Sequence, residues 1–422
     1  MKLIHGAGGV VLLACLGAMG GAAVAQTTEA PPAESTQTIV ASTDQSRFEA
    51  KGLPLGSFRL FPTLDFGVAY DDNVYRTSLG TLSDYYFVIN PAVVLRSEWS
   101  RDSLELKASL DQYRYNKLNN ETNTNYDLAA DGRLDLSRGL SVDGTMSYEV
   151  LHLPRGDPNQ SLQAFEPTRY TALHAGADIS QYLAPFGLRV GALFDRYVYD
   201  PTALIGGGTI DNAFQNRGEY SVFAKADYEF SPGYAVFTQA TYDDRIYDLT
   251  PDTFGFDRNS NGYRVDAGVD MQVTNLIEGN IFAGYLNQTY KAPLRDQNGI
   301  DYGASLTWYP AGLVSVQLKA QHLIEETVIP NAAAANEQTI GLSVNYAFRH
   351  DIVLMAGAGY ADDNFSGTGR IDNVVLGSVG AKYLMNEYVY FKASYAYADR
   401  ASTLSGFGYR DNTVMIGLGL QM

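Results

Sequence analysis

The chain has a single cysteine, two tryptophans and five histidines in 422 residues. That cysteine, Cys15, lies in an apolar leader, so a chain cut after Ala25 carries no thiol. Disulfide staples, thiol redox chemistry and thiolate metal sites are excluded together. Basic residues are also scarce, 30 against 47 acidic ones, for a net charge of −17. So acidic a chain argues against a nucleic-acid partner, whose phosphates need Lys and Arg, and offers no basic face to anionic lipid. Hydrophobic residues make up 45% of the whole, yet no run after Ala25 approaches the roughly 18 apolar residues of a spanning helix. Crossing a membrane by helices is thereby excluded.

The leader itself reads as a Sec-type signal peptide. Lys2 is followed by an apolar stretch from Val10 to Ala25 that ends in Ala23-Val24-Ala25 before Gln26. Its richness in glycine and alanine speaks against an uncleaved membrane helix, and Leu12-Leu13-Ala14 before Cys15 fits a lipoprotein signal poorly. Residues 26–56 are polar, proline-bearing and aperiodic, which predicts a flexible periplasmic lead-in. A plug inside a lumen is the alternative, although the segment has little apolar surface to pack. The remainder, 57–422, reads as one domain.

What is abundant is tyrosine, phenylalanine and glycine, at 30, 19 and 41 residues. That excess suits β-structure with aromatic belts and does not suit helices. From Phe58 onward the hydrophobic period is two. Leu64, Phe66, Val68 and Tyr70 alternate with Asp65, Gly67 and Ala69. Tyr126, Leu128, Ala130, Leu134 and Leu136 alternate with Asp127, Asp131, Arg133 and Asp135. The same holds for Tyr220, Val222, Ala224, Ala226, Tyr228 and Phe230, and for Tyr263, Val265, Ala267, Val269 and Met271.

Such alternation fits either a soluble sheet with one wet face or a barrel with lipid outside and water within. The connections decide between them. Brief turns at Ser100-Arg101-Asp102, Ser137-Arg138-Gly139, Ser231-Pro232-Gly233, Thr274-Asn275-Leu276, Pro310-Ala311-Gly312, Arg349-His350-Asp351 and Met385-Asn386-Glu387, with a slightly longer one at 181–185, take turns with longer polar loops. Those loops fall near 71–84, 116–124, 153–168, 200–217, 246–260, 291–298, 327–336, 362–373 and 398–408. Two rims treated so differently predict an all-β, transmembrane, antiparallel up-and-down barrel of about 18 strands in a Gram-negative outer membrane, with short periplasmic turns. Lipid gives backbone groups no hydrogen bond, so the last strand must pair with the first. Val414, Ile416, Leu418, Leu420 and Met422 supply its apolar face. Many barrels end in Phe or Trp, which the barrel-assembly machinery reads; Met422 departs from that pattern. Pro91 conflicts with its strand, 86–99, and predicts a bulge or a strand start there.

Candidate chemistry is thin. Asp257-Arg258-Asn259-Ser260-Asn261-Gly262 begins like a calcium loop, but the closing twelfth position is Gly268, so a tight turn is the better reading. Asp71-Asp72-Asn73 and Asp362-Asp363-Asn364 read as solvated acids at strand-to-loop exits, with weak divalent bridging to lipopolysaccharide as the alternative. Gly206-Gly207-Gly208 is a loop tip with no helix after it to cradle phosphate. The histidines, His5, His152, His174, His322 and His350, are scattered, with no GxSxG or HExxH beside them. No catalytic, cofactor or metal residue is assigned, and the expectation is that the chain is not an enzyme.

The candidate site is the lumen. On the phase above it is lined by Arg96, Glu98, Glu105, Lys107, Asp131, Arg133, Asp135, Lys225, Asp227, Glu229, Arg264, Asp266 and Asp270, with Asp301, Lys319, Lys382 and Lys392. These charges either cancel across neighbouring strands or set a field for solutes; both readings stand. A barrel this wide leaves an aqueous channel unless something fills it. Passage of polar solutes or of an extended polymer is expected, with a plugged structural or adhesive barrel as the alternative.

Tyr70-Asp71-Asp72-Asn73-Val74-Tyr75-Arg76-Thr77, Leu134-Asp135-Leu136-Ser137-Arg138-Gly139, Asp257-Arg258-Asn259-Ser260-Asn261-Gly262-Tyr263 and Ala304-Ser305-Leu306-Thr307-Trp308 follow one another in order along the chain. This series resembles the putative β-barrel porin 2 family of proteobacterial outer-membrane proteins, from about Phe58 to the end. The resemblance implies an outer-membrane barrel in a family associated with exopolysaccharide or capsule loci, and hence polymer export alongside polysaccharide export proteins. It supplies no catalytic residue and no cofactor. The partners to expect are outer-membrane lipid, lipopolysaccharide and the assembly machinery; the oligomeric state is not readable.

Overall fold

The computed structural model describes residues 48–273 and 276–422. The leader read above as a signal peptide, the lead-in up to residue 47 and the turn residues Thr274 and Asn275 lie outside the described residues. From Phe58 the chain is almost entirely strand. The wall begins with β1 (Phe58–Asp71), β2 (Asp84–Ser97), β3 (Ser103–Tyr115), β4 (Asn123–Ser137), β5 (Leu140–His152) and β6 (Arg169–Leu183). It continues through β7 (Phe186–Tyr199), β8 (Arg217–Ser231), β9 (Tyr234–Tyr247), β10 (Ser260–Val273), β11 (Ile277–Tyr290) and β12 (Gln297–Ala311). β13 (Val314–Glu326), β14 (Ala334–Arg349), β15 (Ile352–Phe365), β16 (Arg370–Leu384), β17 (Val389–Ser402) and β18 (Tyr409–Gln421) complete it.

Each strand pairs antiparallel with the next, and β1 pairs with β18 from Thr63↔Gln421 to Asp71↔Thr413, so the 18 strands form a closed barrel. No helix among the described residues is long and apolar enough to cross a membrane, which says nothing of strands. The register carries one phase around the whole circle. Asp65 lies opposite Asn90 and Gly419, Glu105 opposite Arg96 and Asp131, and Asp266 opposite Gln239 and Gly284. The other face holds Leu128, Val222, Val265 and Ile416, all exposed. An apolar face open to its surroundings is what a wall set in acyl chains requires.

Pro91 is neither bulged nor at a strand start. It sits within β2 opposite Leu64, and the register with β3 is the same on both sides of it. The missing N–H shows instead as a gap in the ladder, because Asn90 and Pro91 have no paired partner on β3. The Asn90 amide spans the gap by donating to the Asp111 carboxylate. The triplet Asp362-Asp363-Asn364 is likewise not at a strand exit but inside β15, where Asp363 faces Glu337 and Asp372. Strands of 13 to 16 residues exceed the about 9 to 11 that cross hydrocarbon, so their ends run on as polar ladder beyond the bilayer.

At the short-turn rim, Leu53–Leu55 folds back antiparallel on the start of β1. Gln421 donates to the Phe48 carbonyl at 2.8 Å and the Phe48 ring stacks on His350. Residues 48–56 therefore lie against the periplasmic turns. Gly206, Gly207 and Gly208 all have positive φ, at 90°, 101° and 86°, at the tip of a small hairpin joining Thr202–Ala203 to Thr209–Ile210.

Candidate functional site: the lumen and its outer mouth

The polar face is the concave one, because its side chains reach strands that are not neighbours. Lys392 of β17 lies 3.1 Å from Asp65 of β1, and Arg245 of β9 lies 2.6 Å from Glu326 of β13. On this face the structure places the candidate residues mostly as cross-strand ion pairs. Arg96 meets Glu105 at 2.5 Å, and Lys107 meets Asp127 at 2.7 Å. Arg133 contacts Asp135 at 3.1 Å and Asp143 at 3.2 Å. Lys225 holds Asp270 at 2.8 Å and Asp227 at 3.8 Å, while Arg264 holds Asp301 at 2.9 Å. Glu229 accepts from the Tyr182 hydroxyl, and Lys382 sits 3.8 Å over the Tyr390 ring. Glu98 is outside any strand, in the turn before β3, paired to Arg59 at 2.7 Å. Asp131 is exposed between Glu105 and Thr145; Asp266 is buried between Gln239 and Gly284; Lys319 registers with Ser305 and Gly341.

These pairs cancel much of the charge, as opposite charges on facing strands do. Acids still lead: β3 to β5 turn Glu105, Asp111, Asp127, Asp131, Asp135, Asp143 and Glu149 inward against Lys107 and Arg133.

The outer mouth differs from the bore below it. The loop 153–168, between β5 and β6, leaves its own sector of the wall. Asn159 Oδ1 accepts from Thr327 Oγ1 and from the Val328 N–H, both at 3.0 Å. The loop 327–333 stands between β13 and β14, eight strands away on a circle of 18, so the contact crosses the bore. Along the way Arg155 forks onto Glu121 and donates to the Ala164 and Phe165 carbonyls. Arg76 donates to the Arg155 carbonyl at 3.0 Å, and Arg400 of β17 to the Gly156 carbonyl.

A second tie comes from Arg258, whose side chain is 1% exposed. It pairs with Asp252 at 2.7 Å and donates to the carbonyls of Thr327, Ala332, Val328 and Ile329. The calcium-like stretch around it acts as a turn: Asp257 Oδ1 accepts from the Asn259 N–H, and Asn259 Oδ1 from the Tyr247 N–H. Beneath lie the buried apolar clusters Leu286, Tyr290, Leu294, Ile324, Ala333 and Ala334, and Ala332, Ala335 and Phe365. Sequence reading misses this mouth, because arginines in polar loops carry no periodicity. The one available signal is that arginines recur beside acids in those loops.

His152, His174 and His322 are held separately, by Asn125, by Asp195, and by Asn336 with the Ile300 carbonyl. They do not converge on a nucleophile.

A comparison with curated proteins finds no match. Among solved structures, Pseudomonas aeruginosa OpdO shares 14% identity, with 86% of this chain and 97% of that one covered and a TM-score of 0.43. A BenF-like porin from Pseudomonas fluorescens Pf-5 shares 10% over 87% and 100%, with a TM-score of 0.45. Acinetobacter baumannii OccAB4 shares 10% over 86% and 98%, with a TM-score of 0.43. Likeness at this level bears on neither solute nor mechanism. The family model described as Putative beta-barrel porin 2 matches residues 45–422, which include the whole of the described wall, and the chain belongs to that family of outer-membrane barrels.

Proposed function

We propose that the chain is an outer-membrane channel for small polar solutes, with a preference for cations, narrowed at its outer mouth by the loop 153–168. The observation that carries the reading is the charged concave face, continuous from the periplasmic rim up to a mouth crossed by Asn159. Acids in excess on a wall with water on one side and lipid on the other attract counter-ions and repel anions. A loop tied across the bore suits small solutes better than an extended polymer, so the geometry favours passage of single molecules over polysaccharide export.

Planar-bilayer recording on purified, folded protein tests this. The expected result is steady conductance with a reversal potential, under a salt gradient, that favours the cation. Anion selectivity would overturn the charge argument.

A second reading has its own support. The buried network of Arg258, Asp252 and the carbonyls of 327–332 fills part of the mouth, which fits a plugged structural barrel. Absence of current in wild-type protein, with current appearing once residues 156–165 are shortened, would favour that reading. A deletion strain that loses surface polymer would instead return polymer export to the front.

A further inference from the structure

We propose that Asp71, Asp72 and Asp411 bind one calcium-sized divalent cation at the outer end of the seam where β1 closes on β18. One carboxylate oxygen from each lies within 4.8 Å of the others. Two oxygens on opposite sides of a calcium ion stand up to roughly 5 Å apart, somewhat more than around magnesium. The donors are hard oxygens: Asp71 is the last residue of the first strand, Asp72 follows it directly, and Asp411 belongs to the last strand.

The independent observation is Asp411 itself. It is 5% exposed, and its Oδ1 is buried with no hydrogen-bond donor reaching it. Its other oxygen is 3.7 Å from Arg76 Nε, a long contact. Asp71, 7% exposed, accepts the Asn73 N–H at 2.8 Å, and its carboxylate faces that of Asp411. The Asp72 carboxylate is oriented by Asn412, through its N–H at 2.8 Å and its side-chain amide at 2.7 Å. Asp84, opposite Asp71 in the register, is committed elsewhere, to the N–H groups of Tyr85, Lys117 and Leu118.

Asp71 and Asp411 bring two carboxylates together where both are buried, with the one guanidinium of Arg76 beside them, and like charges held together away from water are costly unless neutralised. A divalent cation closes that balance. Water on the lumen side would complete the coordination. Asn73 fixes the approach of the two strands, since its amide donates to the Arg410 carbonyl at 2.8 Å and to the Thr77 carbonyl at 2.9 Å. The cation would act as a staple across the closing seam.

The test uses the full chain folded in detergent, freed of lipopolysaccharide, stripped with EDTA and titrated with calcium chloride. Isothermal titration is expected to show one saturable site, and the heat needed to unfold the barrel on a gel is expected to rise with calcium. Asp411→Asn should abolish both responses, yet be at least as heat-resistant in EDTA as the parent, because it removes one of the repelling charges. Asp72→Asn, which leaves the buried pair untouched, should weaken binding and serves if Asp411→Asn fails to fold. No saturable site in the parent would overturn the proposal. So would calcium binding that survives both substitutions, which would assign it to other lumen acids.

Discussion

Arg258 gathers the energetics of the outer mouth into one guanidinium. Taking away one member of a buried, hydrogen-bonded pair costs about 3–5 kcal/mol, because the remaining charge and its acceptors stay buried without a partner. Arg258→Ala is therefore expected to free the loop 327–333, seen as new protease cleavage there, while the barrel below keeps its heat resistance. Unchanged protection would show that other contacts hold the loop. Asp157, in the crossing loop, adds a pH dependence. Burial pushes its carboxyl from 3.8 up to about 6, with the Asn159 N–H and then Arg400, Arg370 and Arg76 working against the rise. A value raised in the folded state means that the ionised form is the disfavoured one. Its penalty is full above about 6, fades as pH falls and is gone below 3.8. Glu121, the acceptor of Arg155, is raised by burial too, so its sign is the same. Protection of the 153–168 loop from protease should thus increase as the medium is acidified through that window, and Asp157→Asn should flatten the change.

At the scale of strands, the period-two pattern was enough to place 18 strands and their phase, because lipid on one side and water on the other impose a strict alternation. Strand ends were not legible. β15 and β17 carry Asp362, Asp363 and Asn364, and Asp399 and Arg400, where the ladder stands above the bilayer and no solvent contrast marks the faces. Nor was the mouth, whose ties join residues 168 apart, such as Asn159 and Thr327. Pro91 shows how a local rule can fail in a wall clamped from both sides: the neighbours hold the register, and the cost is confined to one unmade bond. Pro91→Val supplies an N–H facing β3 and is expected to stabilise the barrel by about 1 kcal/mol, read from the unfolding temperature. Gly419 is constrained in the opposite sense. A Cβ there would lie 2.0 Å from the ring of Tyr390, which is fully buried and donates to Asp65 at 2.8 Å. Gly419→Ala should push that ring aside, loosen β17 from β1 and cost about 1–3 kcal/mol by overpacking.

For the molecule as a whole, the two faces make opposite predictions. Val265, exposed near the middle of β10, faces outward. Val265→Arg is expected to cost about 2–4 kcal/mol in a bilayer, measured by reversible unfolding from vesicles. Asp131→Asn, on the inward face, should leave stability alone and shift the reversal potential toward the anion. Equal effects on stability would mean that the faces have been assigned the wrong way round. The pairing of β1 with β18 also bears on biogenesis. The earliest ribbon to emerge must wait, edge bare, for the latest one, so no intermediate length of polypeptide is a smaller working cylinder. A premature stop anywhere, even close to the finish, yields an unsealed curtain rather than a narrower pore, and whatever escorts the nascent product has to keep its leading margin from strangers until the trailing margin arrives.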